Sequence, residues 1–260
     1  MIHVDLHPGR AGRRFAVLRA LTGAEEFAFA ADEAFAGTAL VDRLLVRAAG
    51  ASVGPGEADL LAVADRDRLL AALYKTCFGD RIESVCLCGG CGERFALDFR
   101  VSDIEARETD GPTPVGPDAE GCFTLDGGAR FRLPTVADLK AVAGLDGREA
   151  LAALRRRCIQ HDESADADTI DAAMEKAGPL LSCDLEAQCP QCGGTEVVRF
   201  DLERHLLSAL AAERRYLTRE IHVLASAYHW PLSEITSLSR DDRRALVRSV
   251  EAGRRAGEPA

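Results

Sequence analysis

The spacing of apolar and polar residues changes period several times along the chain. In the first twenty residues Ile2, Val4 and Leu6 alternate with His3, Asp5 and His7, a period of two that predicts one or two strands. His3 and His7 read as a solvated strand face. Thr22-Gly23-Ala24-Glu25 has the form of a capping box and predicts a short helix over 24–30. Leu40, Val41, Leu44, Leu45 and Ala48 share one face of a second helix, about 38–49. A glycine-rich connector, 50–56, leads to a helix over about 65–78, with Leu69, Leu70, Leu73 and Cys77 as its buried stripe. Asp65 and Asp67 suit its positive end, and Gly79 suits its stop.

Period two returns at 81–85, at 94–101 and at 180–187, so strands are expected there. Between them, 106–121 is rich in Thr, Asp, Gly, Pro and Glu and reads as an exposed connector. Cys122–Leu125 and Ala129–Leu133 flank Asp126-Gly127-Gly128, a hairpin signal that Pro134 ends. Helices are predicted at 136–143, 148–159 and 167–176. Arg155-Arg156-Arg157 reads as a solvated face, and His161-Asp162-Glu163-Ser164 matches no catalytic pattern. The most regular stretch comes last. Leu206, Leu210, Leu217, Ile221, Leu224 and Tyr228 fall at helical spacing, which predicts one long helix over 202–228. Pro231 suits the first turn of a new short helix. Ser239-Arg240-Asp241-Asp242 caps a final helix to about Val250, and 251–260 reads as frayed.

Two cysteine knuckles interrupt these patterns: Cys88-Gly89-Gly90-Cys91-Gly92 and Cys189-Pro190-Gln191-Cys192-Gly193. Each is C-x-x-C-G, and each is followed by a strand-like alternation. Such a turn points two thiolates at one ion, with the glycine supplying the positive φ that closes it. Two turns make a four-sulfur site for structural zinc, Cys88, Cys91, Cys189 and Cys192, with Cys86 as a substitute ligand. Cys183, six residues before the second knuckle, is a weaker candidate. A redox pair, two separate metals or disulfides are the other readings of these cysteines, the last disfavoured because nothing places the chain in an oxidising compartment. A three-cysteine site completed by His161 or His205 would leave a position open for water. Knuckles of a zinc ribbon are usually some 15–20 residues apart. Here nearly a hundred intervene, so one ion would close a long insertion at its base, where a cross-link gains most in principle. The fold class expected is α+β, mainly helical, with a split zinc-ribbon-like β module flanking a mixed hairpin and helix insertion. Its segments are 1–80, the split module 81–102 and 180–202, the insertion 103–179, and a C-terminal helical module 203–260.

Composition narrows the function. The 260 residues are 47% hydrophobic and 28% charged, as in ordinary globular domains. No apolar run approaches the roughly 20 residues of a membrane span, and the N-terminus lacks a signal-peptide pattern, so cytoplasmic synthesis is expected. A net charge of −10 disfavours nucleic acid, and residues 201–260 balance ten Arg against nine Asp or Glu. The motifs for phosphate binding, nucleophile elbows, zinc proteases and dinucleotides are missing, so no catalytic residues are assigned. The rival readings are a zinc-ribbon regulator with a helix-turn-helix over 228–250 and a thiol oxidoreductase.

Four stretches, taken in order, resemble a known family. They are Leu61-Ala62-Val63-Ala64-Asp65-Arg66-Asp67-Arg68-Leu69-Leu70 with Phe78-Gly79-Asp80; the two knuckles; Phe131-Arg132-Leu133-Pro134-Thr135; and the stretch Ile221–Trp230 with Glu234-Ile235 and Arg243-Arg244. Together, over about 15–250, they resemble the phage T4-type baseplate protein family, often called baseplate hub assembly chaperones, of contractile-tailed phages and contractile injection systems. The resemblance implies a non-enzymatic role in building or completing a tail baseplate, with other baseplate or hub proteins as partners and no small-molecule substrate. The locations it implies are the cytoplasm of the producing cell and the assembled particle. The commoner first knuckle of that family has Pro where Gly89 stands, and Cys86 is an addition. Tyr228, Trp230 and Ile235 are the expected partner anchors, since aromatics dominate contact energies; the competing reading packs all three inside the helical tail.

Overall fold

A computed structural model describes residues 1–6, 14–28, 33–161 and 166–257. His7, residues 162–165 and the last three residues lie outside the described residues. The class is mixed α+β, with 49% of the chain helical and 21% in strands.

The first core joins the first eighty residues to the start of the long helix near residue 202. Strands β1 (Ile2–Asp5) and β2 (Phe15–Leu18) pair antiparallel, Ile2 opposite Leu18. Helix α1 (Gly23–Ala28) follows, its start fixed by Glu25, which accepts from the Thr22 backbone N–H at 3.0 Å and from the Thr22 hydroxyl at 2.6 Å. Helix α2 (Ala36–Leu44) stops before Ala49 because Leu45 turns extended and bridges Leu18, while the Val46 N–H donates to the Val17 carbonyl. The chain there gains a strand partner that helix periodicity does not reveal. A 3₁₀ turn at Ala58–Leu60 leads to α3 (Val63–Phe78), which ends at Gly79 with φ of 85°. Leu69, Leu70 and Leu73 are buried as expected, whereas Cys77 is half-buried.

Two long antiparallel ribbons leave this core. The first is β3 (Arg81–Leu87) with β4 (Arg94–Arg100); the second is β8 (Ser182–Gln188) with β9 (Thr195–Asp201). Their bases are seated in the first core through Ile82, Phe99, Cys183, Leu185 and Phe200. Phe99 and Phe200 meet edge to face, ring centres 4.9 Å apart. The short helix α4 (Val101–Glu105) opens the connection between the ribbons. Next comes the hairpin of β5 (Cys122–Thr124) and β6 (Arg130–Arg132), followed by α5 (Val136–Val142) and α6 (Gly147–Cys158). Strand β7 (Ile159–His161) then adds to β6, and α7 (Ala167–Ala177) returns the chain to the second ribbon. Phe123, Leu125, Phe131, Ile170 and Ala173 form a small separate core. The Arg155–Arg157 run is not merely solvated. Arg155 grips Asp171 at 2.6 Å, and Arg157 reaches the buried Asp138 at 2.8 Å.

Helix α8 (Leu202–Tyr228) is the longest element. Its first half supplies Leu202, Leu206, Leu207 and Leu210 to the first core. At its start Glu203 accepts from the Gly37 N–H at 3.0 Å and pairs with Arg66 at 2.9 Å. Arg66 holds Asp67 at 2.7 Å, and Asp67 accepts from the Leu181 N–H at 3.2 Å. This polar chain ties α2, α3, α8 and the residue before β8 together. A Cβ at Gly37 would lie 2.5 Å from the Glu203 carboxylate, so a larger residue would push that side chain off its bond to the Gly37 N–H. The second half of α8 meets α9 (Leu232–Ser237) and α10 (Arg240–Gly257). Arg240 and Arg243 are the side chains that α10 buries among those described. They converge on Glu26 of α1 at 2.7 and 2.6 Å, and Arg243 also holds Glu220 at 2.6 Å. Arg244 pairs with Glu220 and Glu213.

Candidate metal centre

Each ribbon carries its knuckle at the tip. In the first, the Gly92 N–H donates to the Cys88 carbonyl at 2.9 Å and the Cys88 N–H to the Glu93 carbonyl at 2.9 Å. The second repeats this, Gly193 to the Cys189 carbonyl at 2.9 Å and Cys189 to the Gly194 carbonyl at 2.8 Å. Gly92 and Gly193 have φ of 75° and 71°, the left-handed turn that glycine adopts without strain. Two sequence-distant segments therefore fold into the same local shape.

The tips face each other. Cys88 Sγ lies 3.6 Å from Cys192 Sγ, and Cys91 Sγ lies 3.7 Å from Cys189 Sγ. All four sulfurs fall within 4.8 Å of one another. Tetrahedral bonds of ~2.3 Å to one zinc ion would place its sulfurs ~3.8 Å apart, so the spacing fits. Disulfide bonds need about 2.05 Å, far shorter than these contacts. Cys88 and Cys189 are buried; Cys91 and Cys192 are exposed at the rim. Together the four could hold a metal ion such as zinc.

Electrostatics favours the same conclusion. The backbone N–H groups of Cys192 and Gln191 draw the Cys189 thiol down to about 7. At Cys88 the Cys91 N–H also favours the thiolate, but burial and the neighbouring Cys192 and Cys91 sulfurs outweigh it and push the thiol up to about 12. Four sulfurs this close cannot all be anionic without a cation between them. Metal binding would release the remaining protons, so affinity falls as the solution is acidified.

Gly89 acquires a physical reason. Its N–H donates to the Glu196 carboxylate on the opposite ribbon at 2.8 Å. Proline, lacking that hydrogen, could not make the bond. Cys86 is not one of the four ligands. It sits buried in the apolar layer between the ribbons, with Phe95 and Ala187, at the register position that Ala187 holds in the second ribbon. Cys183 is likewise buried, in the first core. His205 lies elsewhere, its Nε2 3.3 Å from the Tyr74 hydroxyl, and burial lowers its pKa. The search against family models, curated proteins and solved structures returned no match.

The expected partner anchors separate. Tyr228 and Trp230 stack with ring centres 4.8 Å apart at the end of α8, where His229 turns the chain at φ of 56°. Tyr228 is 38% exposed and the neighbouring Leu232 50%. Ile235 is fully buried, which removes it as an anchor. Helix α9 packs on α1 and α8, and Ile235 is the side chain it buries there. The Glu26, Glu213 and Glu220 partners of the arginines were missed in the sequence, because Glu26 precedes Arg243 by 217 residues and Glu213 and Glu220 precede Arg244 by 31 and 24, across a turn between helices. Among the described residues no helix is long and apolar enough to cross a membrane.

Proposed function

We propose that this chain is a non-enzymatic structural or assembly protein of a contractile tail baseplate, held in shape by one structural zinc. The observation that carries the structural part is the four-sulfur cluster joining two ribbons about a hundred residues apart. A site with four protein sulfurs leaves no position for a reacting water, so its work is to fix geometry. Zinc would join the tips of the two ribbons rather than close the insertion at its base, because both ends of the insertion, at Val101, Ile104 and Leu181, are already seated in the core that α8 completes. The Tyr228–Trp230 pair and Leu232 then offer an apolar corner to a tail protein. The motif order over 15–250 supports the baseplate assignment.

Duplex DNA is the weaker reading. In a helix-turn-helix the arginines of α10 should face phosphate, but Arg240 and Arg243 are buried against Glu26 and Glu220. Metal analysis should give about one zinc per chain, and none after replacing Cys189 and Cys192 with serine. Assembled tail particles purified from the source should contain this chain or a precursor that does. A protein that binds no metal ends the first half of the proposal; one that binds zinc but never associates with tail proteins ends the second.

A further inference from the structure

The four sulfurs differ in what reaches them. Cys91 and Cys192 are the exposed cysteines, one from each knuckle, while Cys88 and Cys189 are buried. Each exposed sulfur has a buried one from the other knuckle beside it, Cys192 to Cys88 at 3.6 Å and Cys91 to Cys189 at 3.7 Å. We infer that the cluster is a peroxide-sensitive switch whose oxidised form carries two cross-ribbon disulfides, Cys88–Cys192 and Cys91–Cys189. This rests on the zinc reading above and adds a modification to it.

The chemistry balances without further reagents. An exposed thiolate attacks hydrogen peroxide; the O–O bond breaks, the sulfur becomes a sulfenic acid, and hydroxide leaves. The buried thiolate from the opposite knuckle attacks that sulfur, forms the S–S bond and expels a second hydroxide. Two peroxides therefore convert four thiolates into two disulfides and four hydroxides, and the metal loses all its ligands. Each sulfur pair gives up two electrons and each peroxide accepts two.

Connectivity gives the switch its meaning. A disulfide within one knuckle would release the ribbons from each other. The cross-ribbon pairs instead span 104 and 98 residues, the same closure that zinc provides. The two ribbon tips would stay joined after the ion has gone. A particle protein made where thiols are reduced and then released into an oxidising medium would exchange one clip for another.

The test uses the full zinc-loaded chain. Two equivalents of hydrogen peroxide should release about one zinc per chain, read with a chromogenic chelator, and leave a chain four hydrogens lighter than the reduced, metal-free protein when both are weighed under denaturing conditions. Peptide mapping under non-reducing conditions should find Cys88 linked to Cys192 and Cys91 to Cys189. Dithiothreitol with added zinc should restore the starting state. Cys86→Ala, which leaves the four sulfurs in place, should behave like the parent. Disulfides within the knuckles, a link to Cys86, or zinc retained at tenfold excess peroxide would each overturn the inference. Since the starting protein must first contain zinc, a failure of the metal reading shows before peroxide is added.

Discussion

The two halves of α8 are buried by different means. The first half enters the core with Leu202, Leu206, Leu207 and Leu210. The second half also buries Leu217 and Leu224, but it is tied to α10 and α1 through Arg243, which bridges Glu220 of α8 and Glu26 of α1. Apolar burial is non-directional and tolerates small changes of shape. A buried ion cluster has no such tolerance, because each charge needs its partner in place. This cluster is not even complete: Nη1 and Nη2 of Arg240 are buried without an acceptor among the described residues. The carboxyl end of the chain is therefore specified more tightly than it is stabilised.

Breaking the ionic half should have the largest effect. Arg243 is 1% exposed, and Arg243→Ala removes the cation between two buried carboxylates, leaving Glu26 with Arg240 and Glu220 with Arg244. The expected loss is about 4 kcal/mol, measured by urea unfolding. Replacing Glu26, Glu220, Arg240 and Arg243 together with leucine or methionine should recover most of it, because removing Glu26 without Arg240 would strand a buried guanidinium. A loss below about 1 kcal/mol for the single change would show that water reaches the cluster. In the apolar half, Leu206→Ala should cost about 3 kcal/mol while leaving zinc content unchanged. Loss of zinc from this variant would mean that core and metal centre unfold as one unit.

Acid sharpens the contrast at α1, which touches the ionic half. Burial opposes ionisation of Glu25, but Arg19 and Thr22 overcome it and hold the carboxyl down at about 2, from 4.5. A lowered folded-state value means stability that is complete above pH 4.5 and is lost as pH falls toward 2. Because Arg19 is 37% exposed, the contribution should be about 1 kcal/mol. Thermal melts of Glu25→Gln should be lower than the parent at pH 6 and should converge with it near pH 2. The smallest effect on stability belongs to Trp230→Ala, within about 1 kcal/mol, yet under the proposed function it should abolish co-purification with a tail partner. A large fall in melting temperature instead would make Trp230 part of the ionic half's packing.

Much of this arrangement was legible in the residues. The bounds of α8, the strand character around both knuckles and the four converging cysteines follow from period and spacing alone. Helix α4 and strand β7 did not, since five and three residues are too few to display a period. The end of α2 was misplaced because a strand partner, Leu18, took over the backbone at Leu45. Ile235 was misassigned for a related reason. An apolar residue in a six-residue helix shows no face until its neighbours are known. Buried Asp67, Asp138 and Glu220 were invisible because their partners are fixed only by the tertiary fold.

The bond from Gly37 to Glu203 spans 166 residues and has a bearing on how the chain is made. On the ribosome, α2 emerges with its leading amides bare, and the leucines it shares a core with at 202–210 do not yet exist. The amino-terminal eighty residues must wait, half assembled, while both ribbons and the whole insertion are synthesised. Maturation should thus come late and all at once, and a nascent chain stalled before residue 202 should remain open to protease throughout its first third.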